Sequence, residues 1–321
     1  MAETVRVASV QATPVFLNRE ATVEKACSLI VAAGRNSARL VVLPEAFVPS
    51  FPVWTGLPHG AAGSHRDLYA ELLAEAVDVP GPTTRILGEA AREAGAYVVI
   101  GVNERNSEAS GGTMYNTLLY FDDQGQLLGK HRKLVPTALE RTVWGQGDGS
   151  TLEVFDTALG KLSGLTCWEN YMPLARFTLY AAGTQIYVAP TWASSDVWLK
   201  TLQHIAFEGS CYVIGCCQPV RPADIPDHYA FKRAIPESMA EWINVGNSAI
   251  VSPLGFLAGP SACQEETLYA DLDLPFLARG KAGLDTAGHY ARPDVFQLTV
   301  NRSPRPMLRN VWDQTDQPSA K

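Results

Sequence analysis

Strand-length apolar runs alternate with helix-period segments along this chain, and that alternation restricts its fold more than any other feature. The run "AYVVIGVNE" (96–104) is almost continuously apolar at its start, as expected for a strand buried on both faces. "ARLVVLPE" (38–45) is a second such run, closed by Pro44. "TVRVASVQ" (4–11) alternates apolar and polar residues and predicts a strand with one buried face. "LEVFDT", "LSGLT", "TQIYVAP", "CYVIGCC", "NSAIVSP" and "ETLYADLDL" add further short strands. Between them, residues 18–36 place Val23, Ala26, Leu29, Ile30 and Ala33 at helical spacing, with Gly34 as the expected stop. Residues 82–95 predict a helix from Pro82 to Gly95. Residues 171–182 and "DVWLKTLQHIAFEGS" predict two more, while "MYNTLLYFDDQGQLLGKHRK" reads as two strands around a turn at 123–125. Strands that alternate with helices and also join by tight turns predict an α/β protein with mixed sheets covered by helices.

Composition narrows the class. With 46% hydrophobic residues in 321, the chain can bury a large core, and no shift in composition divides it. The expected organisation is one domain over 1–300 and a polar, Pro-rich, poorly ordered tail over 301–321. A net charge of -7 without a basic stripe argues against nucleic acid as a partner. No apolar run approaches the ~20 residues that span a bilayer. The opening "MAETVRVASVQATP" lacks the layout of a signal peptide, so a cytoplasmic protein without membrane contact is expected. Six cysteines form no C-x-x-C pair and six histidines form no metal-ligand spacing, so no metal site is expected. "GQGDGS" (145–150) lacks the Lys-Ser/Thr of a phosphate loop and reads as a tight turn. Two long Pro/Gly-rich stretches, 49–68 and 219–243, interrupt the strand–helix rhythm, and the second suits an interface or a lid.

Three predicted strands end on a reactive group: Glu45 in "LPEAF", Lys133 in "HRKLVPT" and Cys167 in "GLTCWENYMP". Strand ends are where side chains of a layered α/β fold converge on a crevice. Each residue alone has an ordinary explanation, as a surface charge or a core thiol. Together they supply a base, a cation and a nucleophile. A thiol attacks as thiolate, a carboxylate within hydrogen-bond reach takes its proton, and a lysine holds the charge that develops on the substrate. The strand-to-helix turn at Cys167 adds free backbone N–H groups, and Gly164 permits close packing before it.

On these residues the chain resembles the nitrilases of the carbon–nitrogen hydrolase superfamily, whose Glu–Lys–Cys triad matches Glu45, Lys133 and Cys167 in order and spacing. "ERTVWGQGDGS" (140–150), "GHYARPDVF" (288–296) and above all "CWENYMPL" resemble the nitrilase branch. The resemblance implies an α-β-β-α sandwich that pairs with itself across the helical face beside the nucleophile, and a second glutamate after the lysine, here Glu140. It implies a homodimer, with spiral or filamentous assembly beyond it as a further expectation. It implies hydrolysis of a small-molecule nitrile to an acid and ammonia with no metal or organic cofactor. Phe51, Trp144, Trp168, Thr191 and Trp192 are the expected substrate-binding residues. Cyanide hydrolysis and amide hydrolysis use the same triad and stay open, as does a catalytically inactive assembly module, against which the intact set of four residues argues.

Overall fold

The computed structural model describes residues 4–57 and 65–308. Two mixed sheets stack face to face. The first has the strand order β13-β1-β2-β3-β4-β5, from β1 (Val5–Gln11), β2 (Leu40–Val42), β3 (Tyr97–Arg105), β4 (Met114–Phe121), β5 (Leu127–Arg132) and β13 (Glu266–Leu272). The second has the order β10-β11-β9-β8-β7-β6, with β12 paired to β11. It comprises β6 (Phe155–Thr157), β7 (Gly160–Gly164), β8 (Ile186–Thr191), β9 (Tyr212–Cys217), β10 (Pro219–Val220), β11 (Asn244–Ser252) and β12 (Gly255–Ala262). β1, β2 and β3 run parallel, as do β7, β8 and β9. Hairpins add the antiparallel neighbours β4 and β5.

Alternation along each strand assigns its faces. Leu40 and Val42 point between the sheets with Val5, Val7, Val99, Ile186, Val188 and Ile214, whereas Val41 and Leu43 face outward. That outward face is covered by α1 (Arg19–Arg35) and α3 (Pro82–Ala94) through Val23, Ala26, Ile30, Leu87 and Ala91. The outer face of the second sheet is covered by α4 (Pro173–Ala181) and α5 (Asp196–Gly209) through Leu179, Leu202, Ile205 and Ala206. The layers are therefore α-β-β-α, as expected, and burial on both faces explains why the strands read as continuous apolar runs.

Some local expectations change. Gly34 does not end its helix, which runs on to Arg35. A Cβ there would lie 2.5 Å from the Ala94 carbonyl oxygen, so Gly34 serves the close crossing of α1 and α3. Gly95, at φ +60°, does end α3 as a left-handed cap. The stretch 49–68 holds a 3-10 turn, Val53–Gly56, and the start of α2 (His65–Ala74), with 58–64 outside the described residues. Stretch 219–243 is anchored to the core at several points along an otherwise exposed or half-buried course. Its Ile225, Tyr229 and Phe231 are buried in an aromatic cluster with Phe16, Phe51, Trp54 and Trp144. The first part of the tail is docked as well: the Arg305 N–H donates to Asp148 at 2.7 Å, and Arg302 donates to the Leu152 carbonyl. A seventh strand of the second sheet, β12, and a short helix α6 (Leu277–Gly283) went unread in the sequence.

Candidate active site

Glu45 follows β2 by three residues. Its backbone crosses so close to β3 that a Cβ on Gly101 would lie 2.4 Å from the Ala46 nitrogen and the Pro44 oxygen. Only glycine at 101 permits that crossing. The Gly101 N–H donates to Pro44 O at 3.1 Å, and the Gln218 side-chain amide donates to the Glu45 carbonyl at 2.7 Å. Lys133 follows β5, with its N–H donated to the Asn116 carbonyl at 2.8 Å. Glu140 lies in the 3-10 turn Ala138–Thr142 and accepts the Thr137 N–H at 2.8 Å. Cys167 opens the 3-10 turn Cys167–Tyr171 at φ +53°, a left-handed conformation that costs a non-glycine residue energy. Gly164 comes so close to β8 that a Cβ would lie 2.0 Å from Val188 O.

These four side chains converge. Lys133 Nζ donates to Glu45 Oε1 and to Glu140 Oε2, both at 2.8 Å, and the lysine side chain is wholly buried. Burial disfavours the ammonium, but the negative charges of Glu45 and Glu140 outweigh it and raise the lysine well above its ordinary value. Two of its three N–H groups are engaged, which leaves one for a substrate atom. Glu45 Oε1 also accepts from Asn116 Nδ2 at 2.7 Å, while the buried Oε2 has no protein partner. The oxygen that can take a proton is thus Oε2. Burial pushes the Cys167 thiol up to about 12; Glu45 adds to this, and the opposing pull of Lys133 and a Thr191 hydrogen bond does not offset it. Cys167 is therefore a thiol at neutral pH. Burial also raises the Glu140 carboxyl against the pull of Lys133.

The aromatic residues divide into two groups. Phe51 stacks on Trp192 with centroids 4.2 Å apart and meets Trp144 edge-on at 5.6 Å. Lys133 Nζ is 5.9 Å from the Trp144 ring centre, so this cluster borders the lysine. Thr191 belongs to the same place, since its side chain draws the Cys167 thiol down against the effect of burial. Trp168 stands outside this cluster. Its ring is 54% exposed and packs edge-on against Tyr171 on the outer surface, so its side chain lies apart from the cluster.

The sequence of this chain over residues 6–282 matches the carbon-nitrogen hydrolase family. The chain belongs to that family. The hydrolase is 46% identical to Nitrilase 1 of Arabidopsis thaliana, over 94% of this chain and 88% of the relative. It is 43% identical to an aliphatic nitrilase of Sinorhizobium fredii, over 94% of this chain and 96% of that protein. Among solved structures, the hydrolase resembles Nit3 of Saccharomyces cerevisiae, a member of branch 10 of the nitrilase superfamily. The TM-score is 0.68 at 21% identity, covering 90% of this chain and 97% of that one. A carbon-nitrogen hydrolase from Helicobacter pylori G27 gives 0.70 at 18% identity, covering 88% and 93%. These two show the shared fold. The enzyme acts on carbon–nitrogen bonds. Among its described residues no helix is long and apolar enough to cross a membrane.

Residues that sequence reasoning missed support the site from behind. Asn116 and Gln218 position Glu45. Asn170 braces the Cys167 turn, donating to the carbonyls of Leu165 at 3.0 Å and Cys167 at 2.9 Å and accepting from Tyr187 at 2.7 Å. Glu169 accepts the Thr166 N–H at 2.9 Å. The last had a readable signal. Thr166-x-x-Glu169 and Thr137-x-x-Glu140 share the spacing in which a glutamate accepts from the N–H three residues back.

Proposed function

We propose that this enzyme hydrolyses a nitrile, R–C≡N, with two waters to a carboxylic acid and ammonia, and that Glu45, Lys133, Glu140 and Cys167 carry the reaction. The observation that supports this most is that the buried Oε2 of Glu45 has no protein partner, while the charge of Glu45 reaches a Cys167 held as thiol. Glu45 Oε2 takes the thiol proton as sulfur bonds to the nitrile carbon, and the proton passes to the nitrile nitrogen to give a thioimidate. The free N–H of Lys133 and the Trp168 backbone N–H hold that nitrogen as its negative charge grows. Water adds to the thioimidate carbon with Glu45 as base, ammonia leaves, and a thioester remains. A second water releases the acid and returns the proton to sulfur. Glu140 keeps Lys133 placed and charged. Phe51, Trp144, Thr191 and Trp192 form the pocket wall, while Trp168 contributes only its backbone. No metal or organic cofactor takes part.

Ammonia release from aliphatic, aryl and arylacetonitrile compounds, with the matching amides and cyanide in parallel, tests this reading. Turnover of amides alone would replace it with amide hydrolysis. Two tobacco relatives are named bifunctional nitrilase/nitrile hydratase, so amide should also be measured as a product.

The working unit is a homodimer, and one catalytic domain spans 1–300. Leu174, Val197 and Phe207 on α4 and α5 are exposed apolar side chains. A cavity of about 590 Å³ opens between α4 and the segment carrying Tyr290, Val295 and Phe296. A second copy laid on this face would cover them. Arg176 on α4 donates to the Asn170 carbonyl at 2.6 Å and to Glu208 of α5 at 3.0 Å, which links the face to the Cys167 turn. Leu174→Glu with Phe207→Glu should therefore convert the dimer to a monomer of low activity, read by light scattering. Spiral assembly beyond the dimer, and a cytoplasmic site of action, belong to the same reading.

A further inference from the structure

Glu169 lies two residues past Cys167 and is buried. Its Oε1 accepts the N–H of Leu134 at 2.7 Å, and its Oε2 accepts that of Thr166 at 2.9 Å. Leu134 directly follows Lys133 and Thr166 directly precedes Cys167. One carboxylate thus joins the backbone at the end of β5, in the first sheet, to the backbone beyond β7, in the second. Both of its oxygens face His131 Nε2, at 3.0 and 2.9 Å, and His131 Nδ1 faces the Thr151 carbonyl at 3.0 Å.

The protonation state follows from these partners. A carbonyl only accepts, so Nδ1 carries a proton. Two backbone N–H groups hold Glu169 as carboxylate, so Nε2 carries one too, and the ring is an imidazolium. Burial opposes charge on both groups, but the charge and hydrogen bonds each gives the other prevail, raising His131 and lowering Glu169. The other titratable groups that sense Glu169 are Tyr120 on β4 and Tyr187 on β8, both kept as neutral phenols by burial. The neighbouring Arg132 is turned to Glu104 and Glu108. Without His131, a buried carboxylate would lose its countercharge, a costly loss.

We propose that His131 and Glu169 are a positioning pair that fixes the separation of Lys133 from Cys167 across the two sheets. Neither touches the reacting atoms. The inference rests on Cys167 and Lys133 being the reacting pair. An error of about 1 Å between reacting groups costs on the order of 100-fold in rate, so a clamp on their two backbones acts on kcat more than on KM.

The test is kcat per titrated site in wild type, His131→Leu, His131→Gln and Glu169→Gln, with competent Cys167 counted by mass spectrometry of the trapped acyl-enzyme. His131→Leu and Glu169→Gln should lose at least about 10-fold in kcat with KM within about threefold. His131→Gln, which keeps an N–H for the carboxylate, should recover most of that loss. Wild-type kcat per titrated site in His131→Leu would overturn the proposal, even if fewer sites titrate, because that outcome marks a purely structural role. Histidine ¹⁵N NMR of the wild type needs no variant to fold: one imidazole should keep both protons at about pH 8, where exposed rings are neutral, and its absence would overturn the proposal. Cys167→Ala in the same assay tests the underlying reading separately, since retained turnover there would refute the nucleophile whatever His131 does.

Discussion

Lys133 Nζ and Glu45 Oε1 meet at 2.8 Å where neither side chain touches solvent. With Asn116 on the same oxygen, this contact leaves Glu45 a single oxygen for proton transfer. Glu45→Gln keeps the shape and removes the base. Turnover should fall at least about 100-fold, while circular dichroism stays that of the wild type. Glu140→Gln takes a charged acceptor from Lys133, and hydrogen bonds to charged groups contribute roughly 1.5–3 kcal/mol, so kcat should fall about tenfold or more. A kcat within about twofold of wild type in Glu140→Gln would show that Lys133 keeps its place and charge without the Glu140 carboxylate.

Burial pushes Cys167, Cys211 and Cys216 alike to about 12, so ionisation alone does not select the nucleophile. Glu45 does. Cys167→Ala should abolish turnover in a folded protein. Alkylation of Cys167 by iodoacetamide should be nearly flat between about pH 7 and 9 in the wild type. In Glu45→Gln it should be slower and rise about tenfold per pH unit, as for a free thiolate. A wild-type rate that rises as steeply would contradict base assistance.

Gly164 and Gly101 set the backbones at Cys167 and Glu45 by close approach, to Val188 and to Pro44–Ala46 respectively. Overpacking of this kind costs roughly 1–3 kcal/mol, so Gly164→Ala should lower the denaturant midpoint accordingly. Activity should fall by more than the lost folded fraction explains, because the Cys167 turn is displaced. Equal stability and activity in Gly164→Ala would show that β8 yields there.

Phe231 is fully buried against Phe16 and Trp54, so Phe231→Ala should cost about 3–5 kcal/mol. Deleting 222–238 should therefore destabilise the subunit as well as change assembly. Reversing exposed charges, with Arg233→Glu and Glu237→Lys, separates the two effects. Light scattering should show smaller assemblies with an unchanged melting temperature if the rim of this segment is an interface.

Glu104 is buried and binds Lys130 at 2.6 Å and Arg132 at 2.6 and 3.0 Å. Burial alone would raise its carboxyl, but Arg132 and Lys130 outweigh it and hold it below 4.5. A lowered folded value means stability that is present above the unfolded value and lost as pH falls. Glu104→Gln should thus be less stable than wild type near pH 7, by roughly 1–3 kcal/mol for charged hydrogen bonds. The gap should close below about pH 4. Urea midpoints at several pH values measure it, and a gap independent of pH would assign it to packing.

The sequence by itself determined the elements and the reactive residues at their ends. Glu45, Lys133 and Cys167 each follow an apolar run, and Thr137-x-x-Glu140 and Thr166-x-x-Glu169 form their turns through contacts three residues apart. Periodicity and short spacings are local, so one chain displays them. Only the tertiary structure decided which atoms of those residues are free. Glu45 owes its single open oxygen to Asn116, 71 residues away, and its backbone anchor to Gln218, 173 residues away. The same packing turned Trp168 outward and drew Tyr229 and Phe231 into the core. Asn116 lies two strands away in the same sheet and Gln218 follows a strand of the other, so these contacts depend on strand order and on how the two sheets stack, which no local pattern encodes.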